Sequence, residues 1–162
     1  MKRIIALLVA VIIPITLLFT ACGKASPAPL TEAEYSERFK ASCKAFVKAS
    51  TAWAMCAPET APYTDAQKEE CRKTITDREN ALDEIKQLVP PKSRKSFHKD
   101  ILKSLDYEYE WNKAALRLID AKDNAEADEI GRELSRIVNS IPEGKSLPGL
   151  YLDFVSSEKK SG

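Results

Sequence analysis

Four stretches of the chain carry apolar residues at the intervals of three and four that are typical of amphipathic helices. The first follows Thr31, which with Glu34 matches the capping box of a helix N-terminus. Its stripe consists of Phe39, Cys43, Phe46, Ser50 and Trp53. The prolines of the segment APETAPYT end the pattern, so we predict a first helix over about residues 32–56.

A second capping box, Thr64 with Gln67, precedes the second stripe. That stripe consists of Cys71, Ile75, Leu82, Ile85 and Val89. Arg78 interrupts it, and we expect its charged end to lie in solvent at the edge of the apolar face. Pro90 and Pro91 end this helix and suit the start of the next one.

The third helix is predicted over about residues 92–121, and the fourth begins at a capping box of Asp123 with Glu126. The fourth stripe, with heptad-like spacing, is Ala127, Ile130, Leu134, Ile137 and Ile141. Short connections favour antiparallel neighbours, so we predict an all-α fold, an up-down-up-down four-helix bundle over residues 31–141. Residues 142–162 are predicted to be a C-terminal tail whose segment SLPGLYLDFV docks on the bundle.

The chain before the first helix has the layout of a signal peptide. A basic start, MKR, precedes residues 4–21, which carry no charge. This run is close to the ~20 residues that a membrane-spanning helix needs. However, Pro14 interrupts it, and it ends in small residues before Cys22. These features favour cleavage over a permanent span.

Residues 19–22, FTAC, resemble the lipobox of bacterial lipoproteins, with Phe19 in place of the usual leucine. The resemblance implies removal of residues 1–21, a diacylglycerol on the sulfur of Cys22 and acylation of its new amino group. Two or three acyl chains anchor a protein stably. Residues 22–30 then form the lipidated cysteine and its tether. The residue after Cys22 is Gly23 and not aspartate, which resembles outer-membrane lipoproteins of Gram-negative bacteria. In a host with a single membrane, we expect the anchor in the cell membrane. A secreted protein and an uncleaved anchor are the alternatives.

The amino-acid composition adds little to these predictions. Cleavage would remove Lys2 and Arg3, leaving 23 of the 25 basic residues against 24 acidic ones, a formal charge of −1. Nucleic-acid-binding domains are strongly basic, so we expect no nucleic-acid partner.

The three cysteines after Cys22 are candidates for pairing, because disulfides persist outside the cytoplasm. In a hairpin that turns near residue 61, Cys56 and Cys71 differ by ~7 Å along the axis, and Cys43 and Cys71 by ~12 Å. A Cys56–Cys71 disulfide is therefore predicted, with Cys43 a buried unpaired residue. A mixed disulfide of Cys43 with a partner and another intrachain pairing remain alternatives.

No catalytic or metal-binding constellation can be assembled from the sequence. Lys95 stands three residues before His98, the only histidine, which excludes the Glu-x-x-His motif of di-iron bundles. The motif for covalent haem attachment and glycine-rich phosphate loops are also absent. We predict no enzyme, metal or cofactor, and expect His98 at the surface or a boundary and Glu108 on a solvated helix face.

Two further groups suggest binding. Five basic residues crowd the predicted start of the third helix: Lys92, Arg94, Lys95, Lys99 and Lys103. Cations oppose the dipole there. We expect compensation from the C-terminal end of the second helix, whose dipole favours cations, with Asp83 and Glu84 nearby, or contact with an anionic membrane or acidic partner.

The second group is aromatic. Tyr107 and Trp111 stand one turn apart and could receive Tyr151 and Phe154 of the tail, or form a groove for a partner's helix or strand.

Together these features predict a membrane-anchored extracytoplasmic lipoprotein that acts as a binding, scaffolding or accessory protein for an envelope protein. The alternative is a carrier of a small ligand or cofactor in the bundle interior, near Tyr109 and Asn112.

Overall fold

The structure, a computed structural model, describes residues 27–159, and this part of the chain is helical without strands. Cys22 and the predicted signal segment lie outside the described residues. The helices are α1 Glu32–Cys56, α2 Asp65–Gln87, α3 Lys95–Ile119, α4 Asn124–Ser140 and α5 Leu147–Lys159. A 3₁₀ turn, Lys92–Arg94, precedes α3. The all-α prediction is confirmed, and the predicted tail contains a fifth helix.

The sequence signals at the helix starts explain the boundaries. The predicted capping boxes at Thr31 and Thr64 are both complete. Asp123 caps α4 by accepting a hydrogen bond from the backbone N–H of Glu126 at 2.9 Å. The carboxylate of Glu126, however, accepts from the N–H of Lys122, so the third box is not reciprocal.

Direct contacts fix how α1, α2 and α3 lie together. Ser42 of α1 donates to Glu84, and Cys56 contacts Cys71, so contacts along α1 and α2 run in opposite order. Near the start of α1, the Tyr35 hydroxyl lies 3.0 Å from Nδ1 of His98, near the start of α3. The start of α3 therefore lies beside the start of α1. We call this end of the molecule the basic pole and use "lower" for positions near it.

The last two helices share the remaining side of the bundle. Within residues 27–159, the backbone of α4 approaches α3 closely and no other helix, while α5 packs on α1 and α3. Of the predicted α4 stripe, only Ile130 is buried. By contrast, α5 buries Leu147, Leu150 and Phe154. In its lower half, the cleft between α1 and α3 is thus filled by α5.

The core divides into a lower and an upper part. The lower cluster joins the aromatic rings of Tyr35, Phe39 and Phe154 to aliphatic residues of α2 and α3. The upper cluster contains Trp53 and Cys71. The tail therefore docks on the bundle. Its Phe154 stacks on Phe97, with centroids 5.3 Å apart, and meets Phe39 edge to face at 5.0 Å, and does not lie against Tyr107 or Trp111.

Candidate binding groove and basic pole

An open groove lies in the upper half of the molecule, between α1 and the C-terminal half of α4. Its volume is about 520 Å³. Residues of all five helices and one residue that follows α4 line the groove: Phe46, Val47, Ser50, Thr51, Ala54, Arg78, Tyr107, Glu108, Trp111, Ile137, Val138, Ile141 and Pro148. The rims are apolar and open to solvent, because Val47 is 45% and Val138 53% exposed. Such size and lining are typical of binding clefts.

Arg78 forms the floor of the groove, which corrects the expectation of a solvent-facing side chain. It is only 5% exposed. Its Nε donates to the Asn112 carbonyl oxygen at 2.8 Å, and one terminal nitrogen donates to the Glu108 carboxylate at 2.9 Å. The other terminal nitrogen donates to the Ser50 hydroxyl. The guanidinium is therefore held from three sides by α1 and α3.

Two aromatic rings lie close to this guanidinium. Its carbon lies 4.6 Å from the Phe46 ring centroid and 4.3 Å from that of Trp111. Trp111 also meets Trp53 edge to face, with centroids 5.6 Å apart. Cation–π contacts are worth most when they are desolvated. Arg78 thus links α1 and α3 beneath the groove.

Burial and pairing shift the pKa values of Arg78 and Glu108, the ion pair on the groove floor, in opposite directions. Burial raises the pKa of the Glu108 carboxyl, and Arg78 counteracts the rise. Burial likewise lowers the pKa of Arg78, and Glu108 opposes this shift. The expectation that Glu108 lies on a solvated face was wrong, because its partners come from helices that local sequence does not reveal. The floor has no net charge left for a charged ligand.

The five predicted contact residues lie at the basic pole. Arg94 is bound internally: its Nε donates to Glu32 at 3.0 Å, and its guanidinium lies 4.8 Å from the Phe154 ring centroid. Lys103 lies 3.9 Å from Asp100 on the same helix. The other three, Lys92, Lys95 and Lys99, are exposed and form no ion pair with any residue in 27–159.

The basic residues at the start of α3 are compensated by a residue that the sequence did not indicate. Asp83 accepts from the Tyr109 hydroxyl at 2.6 Å, and Glu84 accepts from Ser42 at 2.9 Å, so neither meets the basic residues. Glu32, in the first turn of α1, pairs with Arg94 instead.

The structure brings together the cysteines predicted to pair. The sulfurs of Cys56 and Cys71 lie 2.9 Å apart, but all three described cysteines are free thiols, so the disulfide stays a prediction. Cys43 is 1% exposed, which agrees with a buried unpaired residue. Burial raises the pKa of both Cys43 and Cys71 to about 12.

His98 is buried at 5% exposure, so the expected position at the surface or a boundary was wrong. The Tyr35 hydroxyl binds its Nδ1, and the two rings meet edge to face. Burial lowers the pKa of His98, which favours the neutral imidazole. The lysines beside His98 in sequence point elsewhere, and nothing local signals the partner on α1.

In the described part of the chain, no set of three or more His, Cys, Asp or Glu residues is arranged to bind a metal ion. None of the helices in residues 27–159 is long and apolar enough to cross a membrane. No protein-family model, curated protein or solved structure matches the chain.

Proposed function

We propose that the chain is a lipid-anchored protein of the bacterial cell envelope, which binds another envelope protein as a scaffold or accessory subunit. In this proposal residues 1–21 are removed and Cys22 carries the lipid. Helices α1 to α4 follow one another up, down, up and down, with the added α5 on one side. Anchoring raises the local concentration of the domain for membrane-bound partners.

The position of the chain entry supports this proposal best. The backbone N–H of Leu30 donates to the Val89 carbonyl at 3.0 Å, so the chain enters α1 beside the connection from α2 to α3. Residues 23–29 span at most roughly 25 Å when extended. A lipid on Cys22 would therefore keep the pole with Lys92, Lys95 and Lys99 close to the bilayer.

The basic pole would then orient the domain on the membrane. Each Lys or Arg near an anionic surface contributes about 1 kcal/mol. The three unpaired lysines are available for this, whereas Arg94 is engaged with Glu32. The groove begins about 15 residues further along α1, roughly 22 Å from the pole, and so would lie away from the membrane surface.

Vesicle binding of the unlipidated domain tests the role of the pole. We expect binding to vesicles that contain anionic lipid, and at least tenfold weaker binding after Lys92→Gln, Lys95→Gln and Lys99→Gln together. The matched control removes three exposed lysines elsewhere: Lys44, Lys48 and Lys122. Equal binding to neutral and anionic vesicles would count against the role of the pole.

Anchoring itself is tested by Cys22→Ser in the full chain. We expect the wild-type chain to incorporate an alkyne analogue of palmitate and to fractionate with membranes after cleavage. The variant should incorporate none of the label and keep its signal segment. Labelling that persists in the variant would contradict the assignment of Cys22.

A carrier of a small ligand is the second candidate, and the volume of the groove favours it. The residues predicted for that role do not share a cavity. The Asn112 carbonyl is occupied by Arg78, and Tyr109 binds Asp83. A carrier would therefore use the groove and not the bundle interior.

A further inference from the structure

One face of α1 runs the length of the cleft and is covered over only half of it. Residues at helical spacing of three and four form this face: Ser36, Lys40, Cys43, Val47, Thr51 and Ala54. At its lower end, Ser36 and Lys40 both bind Glu158 of α5. Its upper end, from Val47 onward, is a wall of the open groove.

Helix α5 shows what this cleft accommodates. Its buried residues, Leu147, Leu150 and Phe154, stand at i, i+3 and i+7, the spacing of an amphipathic helix. Pro148, in the first turn of α5, lines the lower end of the groove. The groove therefore continues the cleft in which α5 already lies.

The opposite wall is an amphipathic face without a partner. The C-terminal half of α4 presents Ile137 and Val138 to the groove, the residue after the helix adds Ile141, and none of the three is buried. Since the floor residues Arg78 and Glu108 neutralise each other, the groove selects an apolar surface and not a charge.

The solvent edge of α1 adds a preference for acidic groups. Lys44 stands three residues before Val47, next to the groove wall, whereas Lys48 lines the cleft between α1 and α2. Both lysines are exposed and form no ion pair within residues 27–159.

We propose that the groove binds an amphipathic helix of a partner protein, with apolar side chains at i, i+3 or i+4, and i+7 and acidic side chains along one edge. This helix would extend the α5 cleft upward, a helix-in-groove mode of recognition. A second copy of the chain is the alternative source, and the oligomeric state measured below separates the two. The inference rests on the proposed function only in that the partner belongs to the envelope.

The test uses the full chain in nanodiscs of neutral lipid and a panel of fluorescein-labelled 15-residue peptides. The peptides share a Glu and Gln frame and carry leucine, isoleucine or alanine at i, i+3, i+7 and i+10. Scrambled peptides of the same composition and empty nanodiscs are controls. We expect at least one patterned peptide to bind by anisotropy with a Kd below about 100 μM, and its scrambled version to bind at least tenfold more weakly.

Two matched variants locate the binding. Val138→Asp places a charge on the groove rim and should weaken binding at least tenfold. Leu152→Asp changes an apolar residue that is 64% exposed and outside the groove, and should leave binding unchanged. Circular dichroism checks that both variants fold. A second readout is the emission of Trp111 in Trp53→Phe, which leaves one tryptophan in the chain.

Several results would overturn the proposal: no patterned peptide binds, or the two variants weaken binding equally. A dimer of the full chain that Val138→Asp dissociates would assign the groove to a second copy. Emission of Trp111 that responds to a neutral short-chain amphiphile, with no peptide bound, would assign it to a small ligand. These results concern the groove alone, and incorporation of the chain into nanodiscs is measured separately, so failure of the peptide test leaves the anchoring proposal standing.

Discussion

The two halves of the cleft between α1 and α3 are built from similar helices, but the lower half is covered and the upper half is open. In the lower half, α5 covers the cleft and Phe39, Phe154 and Tyr35 are almost completely buried. In the upper half, α4 packs on α3 alone and leaves Val47 and Val138 exposed. The difference indicates that the lower half serves stability and the upper half is available for binding.

The largest effect is expected from removing α5. Deleting residues 147–162 removes the buried side chains Leu147, Leu150 and Phe154, each worth about 1.5–3 kcal/mol by burial. Their sum approaches the whole stability of a small domain, about 5–15 kcal/mol. We expect loss of a cooperative urea transition, followed by circular dichroism. A transition unchanged from the wild type would mean that α5 is not part of the core.

Arg78→Ala should have the next largest effect, because it leaves the Glu108 carboxylate buried without its partner. Removing one member of a buried pair costs about 3–5 kcal/mol. Urea denaturation measures the change. The double variant Arg78→Met with Glu108→Gln is the control and should recover much of the loss. If the single variant were as stable as the wild type, the floor of the groove would be flexible and not preorganised.

Oxidation of Cys56 and Cys71 to a disulfide that joins α1 to α2 should stabilise the domain by at most about 3 kcal/mol. This is the chain-entropy value for a loop of about 15 residues. We expect peptide mapping without reduction to recover Cys56 joined to Cys71, and a higher melting temperature than for the reduced chain. Cys56→Ser should abolish the difference. A bridge from Cys43 would contradict the packing of α1 on α2.

Acid should weaken the lower half through His98. Burial lowers the pKa of the folded-state imidazole, so the unfolded chain takes up the proton first as the pH falls below about 6.5. Stability is therefore present above that pH and declines below it, by no more than about 1.4 kcal/mol per pH unit for one proton. Thermal melts at pH 7.5 and 5.5 should show a smaller decline in His98→Asn. An identical decline would exclude this histidine as a source.

The smallest effect on stability is expected in the groove wall. Val138→Ala removes an exposed side chain and should change the free energy of unfolding by less than about 0.5 kcal/mol. Phe154→Ala, the matched change in the lower half, should cost about 3–5 kcal/mol. Similar losses from both, measured in urea, would show that the two halves are equally packed.

Local signals were sufficient for much of the fold. Capping residues such as Thr31 and Thr64 fix helix starts because their hydrogen bonds span only three residues. The i, i+3, i+7 stripe of α5 was also present in the sequence, but residues 142–162 were predicted only as a docked tail, whose first helical turn contains Pro148 and Gly149. In the structure Ser146 accepts from the Gly149 N–H at 3.2 Å and so supports that first turn.

The groove was harder to predict because its floor depends on distant partners. Arg78 meets Glu108 and Asn112, which lie 30 and 34 residues further along the chain. A charged residue inside an apolar stripe is ambiguous until these partners are known. Tyr107 and Trp111 were recognised as candidates for a groove, but their neighbours on α4 follow from tertiary packing alone.

Hydroxyl-radical footprinting of the unmodified chain, with and without the patterned peptide, tests the contrast between the two halves most directly. In the free chain we expect rapid modification of Val47 and Val138 and protection of Phe39 and Phe154. The peptide should protect Val47 and Val138 and leave Met55 and Leu152, which are exposed outside the groove, unchanged. Equal modification of the two halves, or protection at Met55 and Leu152 instead, would contradict the account.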